Sequence, residues 1–241
     1  MDIYKEKKQQ LKAYFNRIAP TRIKYRKSKR YYWDSITDYV NFFVHDESTV
    51  LEVGCGTGEL LAKISGKEKT GIDFSEKMIE EARGQFPDIE FVCCPAEDIN
   101  LDKKFDVIIL SNLIGYLTDI QQVFEELHKV CHSETKIIVT YYNVFWEPFI
   151  KFAEFIGIKK KSPKQSWISR KDLANLLYLA GFETYKQNAS MLFPFYVPLL
   201  SPFLNKFLSR LPVFNWFALN HYTFALPIVP VNEEEAAKKY S

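Results

Sequence analysis

Cysteine and histidine are scarce in this chain of 241 residues, which has four of each. The cysteines form no C-x-x-C pair and have no histidines at metal-binding spacing, so the sequence predicts neither a disulfide framework nor a zinc site, and no metal is expected. This usage suits a reducing cytoplasm. The N-terminal residues are charged and lack an apolar stretch with a cleavage site, so we expect no secretory signal.

Acidic residues are absent between positions 183 and 233, in a chain whose net charge is only +2. Within that stretch, ten aromatic residues lie between positions 193 and 224, and full charges are carried only by Lys186, Lys206 and Arg210. Prolines and polar residues interrupt it, so no run of about 18 apolar residues occurs and a transmembrane helix is not expected. The segment can instead form an apolar cap or a surface that contacts a membrane.

Positive charge is concentrated in residues 1–30, which hold eleven Lys or Arg against two acidic residues. This density is typical of a nucleic-acid arm. However, no base-reading or base-stacking module accompanies it, so nucleic acid is not the expected partner. Two alternatives stay open for the segment, namely a solvated basic helix or a lid over a ligand site. Its last part is a basic cluster, defined here as Arg22, Lys24, Arg26, Lys27, Lys29 and Arg30.

Strand and helix patterns alternate through the middle of the chain. Helices are predicted to begin after Ser75, Asp119 and Ser169, and the first of these to end at Gly84. The alternation predicts an α/β fold with a doubly wound parallel sheet. Apolar runs predict its strands at 50–53, 69–73, 89–93, 105–111, 135–141 and around 182–186, with a last strand from His221.

The segment LEVGCGTGEL, residues 51–60, ends the first predicted strand in three closely spaced glycines. Doubly wound sheets bind ligands beyond the carboxyl ends of their strands, at the switch point beside the first strand, where this loop lies. A dinucleotide-binding loop would read G-x-G-x-x-G, with a helix N-terminus directed at a pyrophosphate. This loop reads G-x-G-x-G, which points to another ligand.

The pattern E-x-G-x-G-x-G from Glu52, with Asp73 at the end of the next strand, resembles motif I of the class I S-adenosylmethionine-dependent methyltransferases. The resemblance covers residues 50–142. It implies S-adenosylmethionine as cofactor and an α/β, doubly wound Rossmann-like sheet of about seven strands. The expected organisation is a basic helical lid at 1–45, the cofactor-binding core at 46–190, an apolar helical insertion with the last strand at 191–230, and a polar tail at 231–241.

The same resemblance places the cofactor residue by residue. Asp73 would accept hydrogen bonds from both ribose hydroxyls, and Glu52 would orient the glycine loop and offset the positive charge of the cofactor. The family often has an aspartate that contacts the adenine where this chain has Pro95, so the following residues are the expected substitute. The other expected cofactor contacts are Gly54, Cys55, Gly56 and Gly58 under the methionine and ribose, Phe74 and Met78 against the adenine, Ala96, Glu97 and Asp98 near its amino group, and Ser111 and Asn112 at the methionine.

Catalytic residues are less clearly marked. Many relatives carry a histidine after the fourth strand, where this chain has Tyr116 in NLIGYLTD. Methyl transfer is an in-line displacement, so positioning can supply much of the rate and a base is needed only if the acceptor must lose a proton. The candidates are Tyr116, Tyr141, Asn143 and His221.

The segment SPFLNKFLSRL, residues 201–211, predicts a helix capped by Ser201, with one apolar face. That face comprises Phe203, Leu204, Phe207, Leu208 and Leu211. It can pack in the core, or it can serve an amphiphilic acceptor or an anionic membrane surface.

The sequence as a whole predicts methyl transfer to a small or lipid-like acceptor, with oxygen favoured, by a cytoplasmic protein peripheral to the inner face of a membrane. Two alternatives remain open, a methyltransferase for nucleic acid or protein and a non-catalytic cofactor-binding regulator.

Overall fold

The computed structural model describes residues 3–157 and 161–229, so the predicted polar tail lies outside the described residues. Its centre is one seven-stranded sheet in the order β3-β2-β1-β4-β5-β7-β6. The strands are β1 Thr49–Val53, β2 Glu68–Asp73, β3 Glu90–Cys93, β4 Phe105–Ser111, β5 Cys131–Tyr142, β6 Phe182–Ser190 and β7 Asn220–Pro227.

Helices cover both faces of this sheet, and further helices lie at its carboxyl edge. The principal helices are α1 Ile3–Ser28, α2 Arg30–Asn41, α3 Glu59–Lys63, α4 Glu76–Gln85, α5 Ile120–Leu127, α6 Glu147–Phe155 and α7 Arg170–Leu179. Short helical turns lie at Ile114–Tyr116, His128–Val130 and Val144–Trp146, and the insertion before β7 contains helical turns at Leu200–Pro202, Phe203–Phe207, Leu208–Arg210 and Pro212–Asn215.

The sheet is mixed, which corrects the prediction of a wholly parallel one. β1 to β5 pair in parallel, whereas β7 runs antiparallel to both β5 and β6. The reason is that the chain leaves and re-enters the sheet at the same edge: β6 ends at Ser190, which pairs with Asn220 at the start of β7. Antiparallel strands need no crossover helix. The insertion between β6 and β7 therefore projects from the carboxyl edge of the sheet.

Alternating side chains of the strands form a core on each face of the sheet. On one face, Ile108 of β4 belongs to a buried cluster with Phe124 of α5 and Leu177 of α7. On the other face, the neighbouring Ile109 belongs to a cluster with Ile36 of α2 and others from α3 and α4. This arrangement confirms the doubly wound α/β prediction.

Helix starts follow the predicted caps, but one predicted end is wrong. The side chains of Ser75, Asp119 and Ser169 each accept a hydrogen bond from the backbone N–H three residues later. Helix α4 continues through Gly84 and ends at Gln85. Gly84 is not among the glycines with positive φ, so it does not form the left-handed stop that the prediction required.

The insertion differs from the predicted helix capped by Ser201. Its helical turns begin at Leu200, so Ser201 lies inside the first turn, where its Oγ accepts from Val197 N and donates to Phe195 O. A π-helical turn occupies Phe203–Phe207. Phe203 is 54% exposed and Phe207 70% exposed. Of the two alternatives for this face, these exposures exclude packing of Phe203 and Phe207 in the core.

Candidate active site

A cavity of about 210 Å³ lies beyond the carboxyl ends of β1, β2 and β4, at the switch point of the sheet. Its lining joins the glycine loop to helix α1 and to the segment after β4. Of the predicted cofactor residues, the lining contains Gly54, Gly56, Asp73, Phe74, Met78, Ala96, Glu97, Ser111 and Asn112.

The glycines of the loop have two different roles. Gly54 and Gly56 line the cavity with φ of +75° and +56°, a left-handed conformation that side chains disfavour. Gly58 also has positive φ, but a Cβ there would lie 2.7 Å from the Phe91 ring, so this glycine serves core packing outside the cavity. Cys55 is buried and does not line the cavity, and burial raises the pKa of its thiol well above the ordinary value.

Asp73 is held rigidly at the end of β2. Its Oδ2 accepts from Gly56 N at 2.9 Å, and its Oδ1 accepts from Ser75 N at 2.9 Å. Burial raises its pKa, and these two backbone hydrogen bonds oppose that rise. Because each carboxylate oxygen can accept more than one hydrogen bond, Asp73 can still receive a pair of hydroxyls from a ligand in the cavity.

Glu52 does not line the cavity, so its position suits the predicted role of orienting the glycine loop rather than a direct contact with the cofactor. It is 1% exposed, and burial raises its pKa to about 8, with the positive charge of Arg26 opposing the rise. Arg26 donates to Glu59 at 3.3 Å and its guanidinium lies 3.8 Å from the centre of the Trp33 ring. Glu52 therefore belongs to a buried charged cluster that supports the loop.

The acidic loop after β3 contributes Ala96 and Glu97 to the lining, whereas Asp98 is exposed and outside it. Glu97 is already engaged, since it accepts from Lys8 Nζ at 3.0 Å and from Thr118 Oγ1 at 3.1 Å. Lys8 belongs to α1, so this ion pair also connects the first helix to the core.

Helix α1 lines the cavity along one face, which the sequence reading did not identify residue by residue. Its Phe15 ring lies 5.9 Å from Phe74 and 5.3 Å from Tyr116. Lys12 pairs with Glu76 at 2.5 Å, which fixes the helix to α4. The periodic spacing of three and four residues is a signal that could have identified this face. The lining members with that spacing are Lys8, Leu11, Phe15, Ile18, Arg22 and Tyr25.

The basic cluster is divided between the interior and the surface. Arg22 lines the cavity and Arg26 is 7% exposed, whereas Lys24 and Lys27 are exposed. Helical geometry separates residues two apart onto different faces, so a cluster in sequence does not form one surface.

Of the four predicted catalytic residues, Tyr116 lines the cavity. Its hydroxyl accepts a hydrogen bond from Gln165 Nε2, and burial raises its pKa. Tyr116 is therefore a neutral hydroxyl that faces the ligand space.

The structure does not bring Tyr141, Asn143 or His221 into this cavity, so their prediction as catalytic residues is not supported. Tyr141 and His221 pack edge to face on the side of the sheet covered by α7, because side chains alternate along a strand. Burial lowers the pKa of His221 to about 3. The side chain of Asn143 donates to Trp216 O and Ala218 O, which anchors the insertion.

Comparison with known proteins assigns the family. Residues 44–181, more than half of the chain, match the family described as methyltransferase domain. The chain belongs to the methyltransferase domain family. Membership confirms the predicted resemblance, the cofactor S-adenosylmethionine and the enzyme class, an S-adenosylmethionine-dependent methyltransferase.

The curated relatives of this methyltransferase have different names, and they match different lengths of the chain. It is 27% identical over 140 residues to malonyl-acyl-carrier-protein O-methyltransferase 1 of Ilyobacter polytropus, covering 54% of this chain and 51% of that protein. It is 36% identical over 88 residues to demethylmenaquinone methyltransferase of Chlorobaculum tepidum, covering 35% of this chain and 36% of that protein. The chain thus spans about half or less of the length of these curated relatives.

A solved structure supports the fold over nearly the whole chain. An S-adenosylmethionine-dependent methyltransferase of Thermotoga maritima superposes with a TM-score of 0.69 at 20% identity, and the match covers 88% of this chain and 97% of that one. The predicted class I methyltransferase fold is therefore confirmed.

Proposed function

We propose that this protein transfers the methyl group of S-adenosylmethionine to an oxygen atom of a small, amphiphilic acceptor. The observation that carries the proposal is the composition of one cavity. Part of its lining is the glycine loop with the fixed carboxylate of Asp73, and another part is aromatic, from Tyr14, Tyr25 and Tyr116. The first part suits a nucleoside, and the second suits the apolar body of an acceptor.

The cofactor fits the chain's own residues at both ends of the cavity. Asp73 would hold the ribose, and Phe74 and Met78 would contact the adenine. Gly54 and Gly56 allow the left-handed course of the loop beside the ligand space, and a Cβ at these positions would press on Leu113 and Arg22, two other residues of the lining. When bound, S-adenosylmethionine would supply an electrophilic methyl carbon, and the remaining catalytic task of the chain is to hold an acceptor in line with it.

The lining favours an acceptor oxygen that is already anionic, such as a carboxylate. Among the described lining residues, the two carboxylates are engaged, Asp73 with backbone amides and Glu97 with Lys8. A base is needed only when the acceptor must lose a proton. The malonyl-acyl-carrier-protein O-methyltransferase among the relatives supports oxygen as the methylated atom.

Tyr116 is the residue proposed to orient the acceptor. Its raised pKa keeps the phenol protonated, so it would donate a hydrogen bond rather than remove a proton. The ring of Phe15 packs edge to face on Tyr116 at 5.3 Å, so α1 would hold the Tyr116 ring in place beside the acceptor.

Replacing Asp73 by alanine is expected to weaken binding of S-adenosylhomocysteine by about 1.5 to 3 kcal/mol, because hydrogen bonds to a charged acceptor are lost. Isothermal titration calorimetry measures this change. The matched control is Asp98→Ala, which removes an exposed carboxylate outside the cavity and should leave the affinity unchanged. Equal affinities of wild type and Asp73→Ala would contradict the assignment of the ribose site.

Two alternative functions give different results in the same assays. A non-catalytic regulator would bind S-adenosylmethionine in calorimetry but transfer no labelled methyl group to any component of a cell extract. A nucleic-acid or protein methyltransferase would place the label on macromolecules. The inward direction of Arg22 and Arg26 disfavours a nucleic-acid arm. Mass spectrometry of extracts incubated with labelled cofactor identifies the acceptor directly.

We also propose that an exposed apolar surface docks the protein on an anionic membrane, peripherally and from the cytoplasm. The described part of the chain contains no helix long and apolar enough to cross a bilayer. Two segments contribute to this surface, one around α6 and one in the insertion before β7. They meet where the Phe145 ring packs on Phe217 at 4.9 Å. We define the apolar surface by its exposed members Phe145, Phe149, Phe152, Phe155, Phe195, Tyr196, Leu199, Phe203, Phe207, Val213, Trp216 and Phe217.

Charge and position favour a bilayer as the occupant of this surface. Residues 184–232 contain no acidic side chain, and the exposed Lys24, Lys27 and Lys206 are available to anionic headgroups. Tyr196 lies 5.5 Å from Tyr31 at the start of α2, and Lys29 lies 5.0 Å from the Phe195 ring. The surface therefore adjoins the helices that cover the cavity, and a lipid-like acceptor could enter from the membrane.

Wild-type protein is expected to sediment with anionic vesicles, to remain in solution with neutral ones, and to be released by salt. Phe203→Ser with Phe207→Ser should reduce the bound fraction roughly tenfold or more, because each removes about 1.5 kcal/mol or more of apolar burial. Lys24→Glu with Lys27→Glu should act similarly, since each cation near an anionic surface contributes about 1 kcal/mol.

The matched control for the apolar pair is Tyr178→Ser with Leu179→Ser, which changes two exposed apolar residues of α7. It should bind vesicles as wild type does. Failure of wild type to bind anionic vesicles, or equal losses in the control, would overturn the membrane proposal while leaving the methyltransferase assignment intact.

A further inference from the structure

The hydroxyl of Tyr116 has a hydrogen-bond donor beside it but no acceptor. Its oxygen accepts from the side-chain amide of Gln165, and both residues line the cavity. Among the described residues, none accepts a hydrogen bond from this hydroxyl. A phenol carries one proton, and the burial of Tyr116 retains it by raising the pKa. That proton is therefore available to a molecule in the cavity.

The backbone beside Gln165 is fixed against the turn that carries Tyr116. The backbone N–H of Ser166 donates to Gly115 O at 2.8 Å. A Cβ on Gly115 would lie 3.2 Å from Ser166 O and 3.3 Å from Gln165 Cβ, closer than ordinary van der Waals contact. The two segments can approach this closely because position 115 is a glycine.

The segment 161–166 is also held from α6 and from α1. Ser162 donates to Glu154 Oε1 of α6, from its Oγ at 2.6 Å and from its backbone N at 3.3 Å. The hydroxyl of Tyr14 in α1 donates to Lys161 O at 3.2 Å. The segment is therefore held at both ends, which limits the positions that its side chains can take.

We infer that Gln165 is a positioning residue, which donates to the Tyr116 oxygen and so directs the Tyr116 proton toward a carboxylate of the methyl acceptor. This inference rests on the proposed function and deepens it, since it names the residue through which Tyr116 selects the acceptor. A carboxylate has one oxygen to be methylated and a second that can accept from Tyr116. The inferred substrate class is therefore a carboxylic acid in its ionised form.

The reaction that this orientation serves is balanced without a proton. The carboxylate oxygen gains the methyl group, the carbon–sulfur bond breaks, and a neutral ester and a neutral thioether remain. Because negative charge on the acceptor falls during the transfer, a hydrogen bond from Tyr116 does not favour the transition state over the bound acceptor. Its contribution is orientation, since a correctly aligned attacking oxygen lowers the barrier.

Gln165→Glu is the first test, because it keeps the shape of the side chain and reverses its hydrogen-bonding role. An ionised carboxyl group can only accept, so the Tyr116 proton would turn toward it and away from the acceptor. The full chain is incubated with methyl-tritiated S-adenosylmethionine and a protein-free cell extract of metabolites and lipids. Carboxyl methyl esters are counted as label that alkali releases as volatile methanol. Wild type should form such esters, and Gln165→Glu should form at least about tenfold fewer at pH 8.

The activity of Gln165→Glu relative to wild type should rise as the pH falls from 8 to 5. A protonated carboxyl group can donate to Tyr116 as the amide does, whereas a purely structural defect would not respond to pH in this way. Tyrosine and arginine do not titrate in this range, and a group present in both proteins affects both rates. The titratable or charged groups around Tyr116 and segment 161–166 are Tyr116 itself, Tyr142 of β5, Tyr14 and Arg22 of α1, and Glu154 of α6.

A double-mutant cycle tests whether Gln165 acts through Tyr116. Gln165→Met removes the donor and should lower ester formation about three- to tenfold in the wild-type background. The same change should have less than about a twofold effect in a Tyr116→Phe background, because the hydroxyl that it positions is already absent. Methionine is preferred to alanine, which would open the cavity to a neighbouring one of about 20 Å³, large enough for a water that could replace the donor.

Controls separate this role from loss of fold or of cofactor binding. Gln85→Glu makes the same exchange at an exposed position outside the cavity lining, and it should form esters as wild type does at each pH. Calorimetry should give affinities of both Gln165 variants for S-adenosylhomocysteine within about twofold of wild type, because Gln165 contacts Tyr116 rather than the glycine loop.

Ester formation by Gln165→Glu equal to that of wild type at pH 8 would overturn the inference, as would equal effects of Gln165→Met with and without the Tyr116 hydroxyl. Transferred label that alkali does not release would also overturn it, because the acceptor is then not a carboxylate. If wild type transfers no label to any component, the proposed function fails together with the inference. If wild type forms esters and only the differences among variants are absent, the inference alone fails.

Discussion

Replacing Gly56 by valine is expected to abolish detectable binding of S-adenosylhomocysteine, a loss of at least about 100-fold. Gly56 lines the cavity with φ of +56°, where a β-branched residue is strongly disfavoured. A Cβ at this position already lies 3.1 Å from Arg22 Nε, and the two further methyl groups would occupy space between Arg22 and the loop. Calorimetry measures the affinity, and circular dichroism checks that the fold persists.

The matched control for this change is Gly84→Val. Gly84 is an exposed residue of α4, and an added Cβ there would have no atom within 4 Å. Valine has a slightly higher helix propensity than glycine, so the control should change the stability of α4 by only about 0.5 kcal/mol or less and should bind S-adenosylhomocysteine normally. Binding by Gly56→Val within about threefold of wild type would show that the loop has another purpose.

The sheet could be predicted because its signals are local. The apolar run at β4 coincides with the observed strand Phe105–Ser111, and each of the three predicted caps is present. The direction of β7 could not be predicted in this way. It depends on the pairing of Asn220 with both Ser190 and Tyr142, which are distant in sequence. Strand direction is a property of the assembled sheet rather than of the strand's own residues.

The cofactor side of the cavity was predictable for a related reason. Gly54, Gly56 and Asp73 follow from one motif, since the loop and the end of the next strand lie together in any sheet of this type. Arg22 reaches them from outside the motif, across a helix whose orientation depends on tertiary contacts such as Lys8 with Glu97. Only the periodic spacing along α1 could have indicated its inward face.

The catalytic candidates, in contrast, could not be placed reliably from the sequence. Tyr141 and Tyr142 are adjacent at the end of β5, yet Tyr142 lines the cavity and Tyr141 packs against His221 on the other face. A shift of one residue changes the face of a sheet. Polar or aromatic character alone therefore could not distinguish the residue that faces the ligand from its neighbour.

Replacing Glu52 by glutamine is expected to stabilise the ligand-free protein at neutral and alkaline pH, although Glu52 belongs to the motif. Burial raises the pKa of Glu52 from its ordinary 4.5 to about 8. Below about pH 4.5 the carboxyl group is protonated in both folded and unfolded chains, so it has no effect on stability. As the pH rises from 4.5 to 8, only the unfolded chain ionises readily, so the wild-type fold loses stability until a plateau above pH 8.

The Glu52→Gln variant has no such ionisation, so its advantage over wild type should grow over that range to about 2 to 4 kcal/mol, since each pKa unit corresponds to about 1.4 kcal/mol and relaxation reduces the full shift. Arg26 keeps Glu59 as its partner at 3.3 Å, so the change does not leave a buried cation unpaired. Urea unfolding between pH 5 and pH 9 measures the difference.

Glu76→Gln is the control with the opposite sign, because a hydrogen bond from Lys12 lowers the pKa of Glu76. Ionised Glu76 stabilises the fold above the unfolded pKa, so this variant should be slightly less stable than wild type at neutral pH, and the difference should vanish as the pH falls through the folded pKa. A constant difference between Glu52→Gln and wild type from pH 5 to pH 9 would mean that Glu52 is ionised in the fold, and that Arg26 neutralises it fully. A growing difference would instead show that the motif glutamate costs stability in the free protein, as expected for a carboxyl group placed beside a site that binds a cationic cofactor.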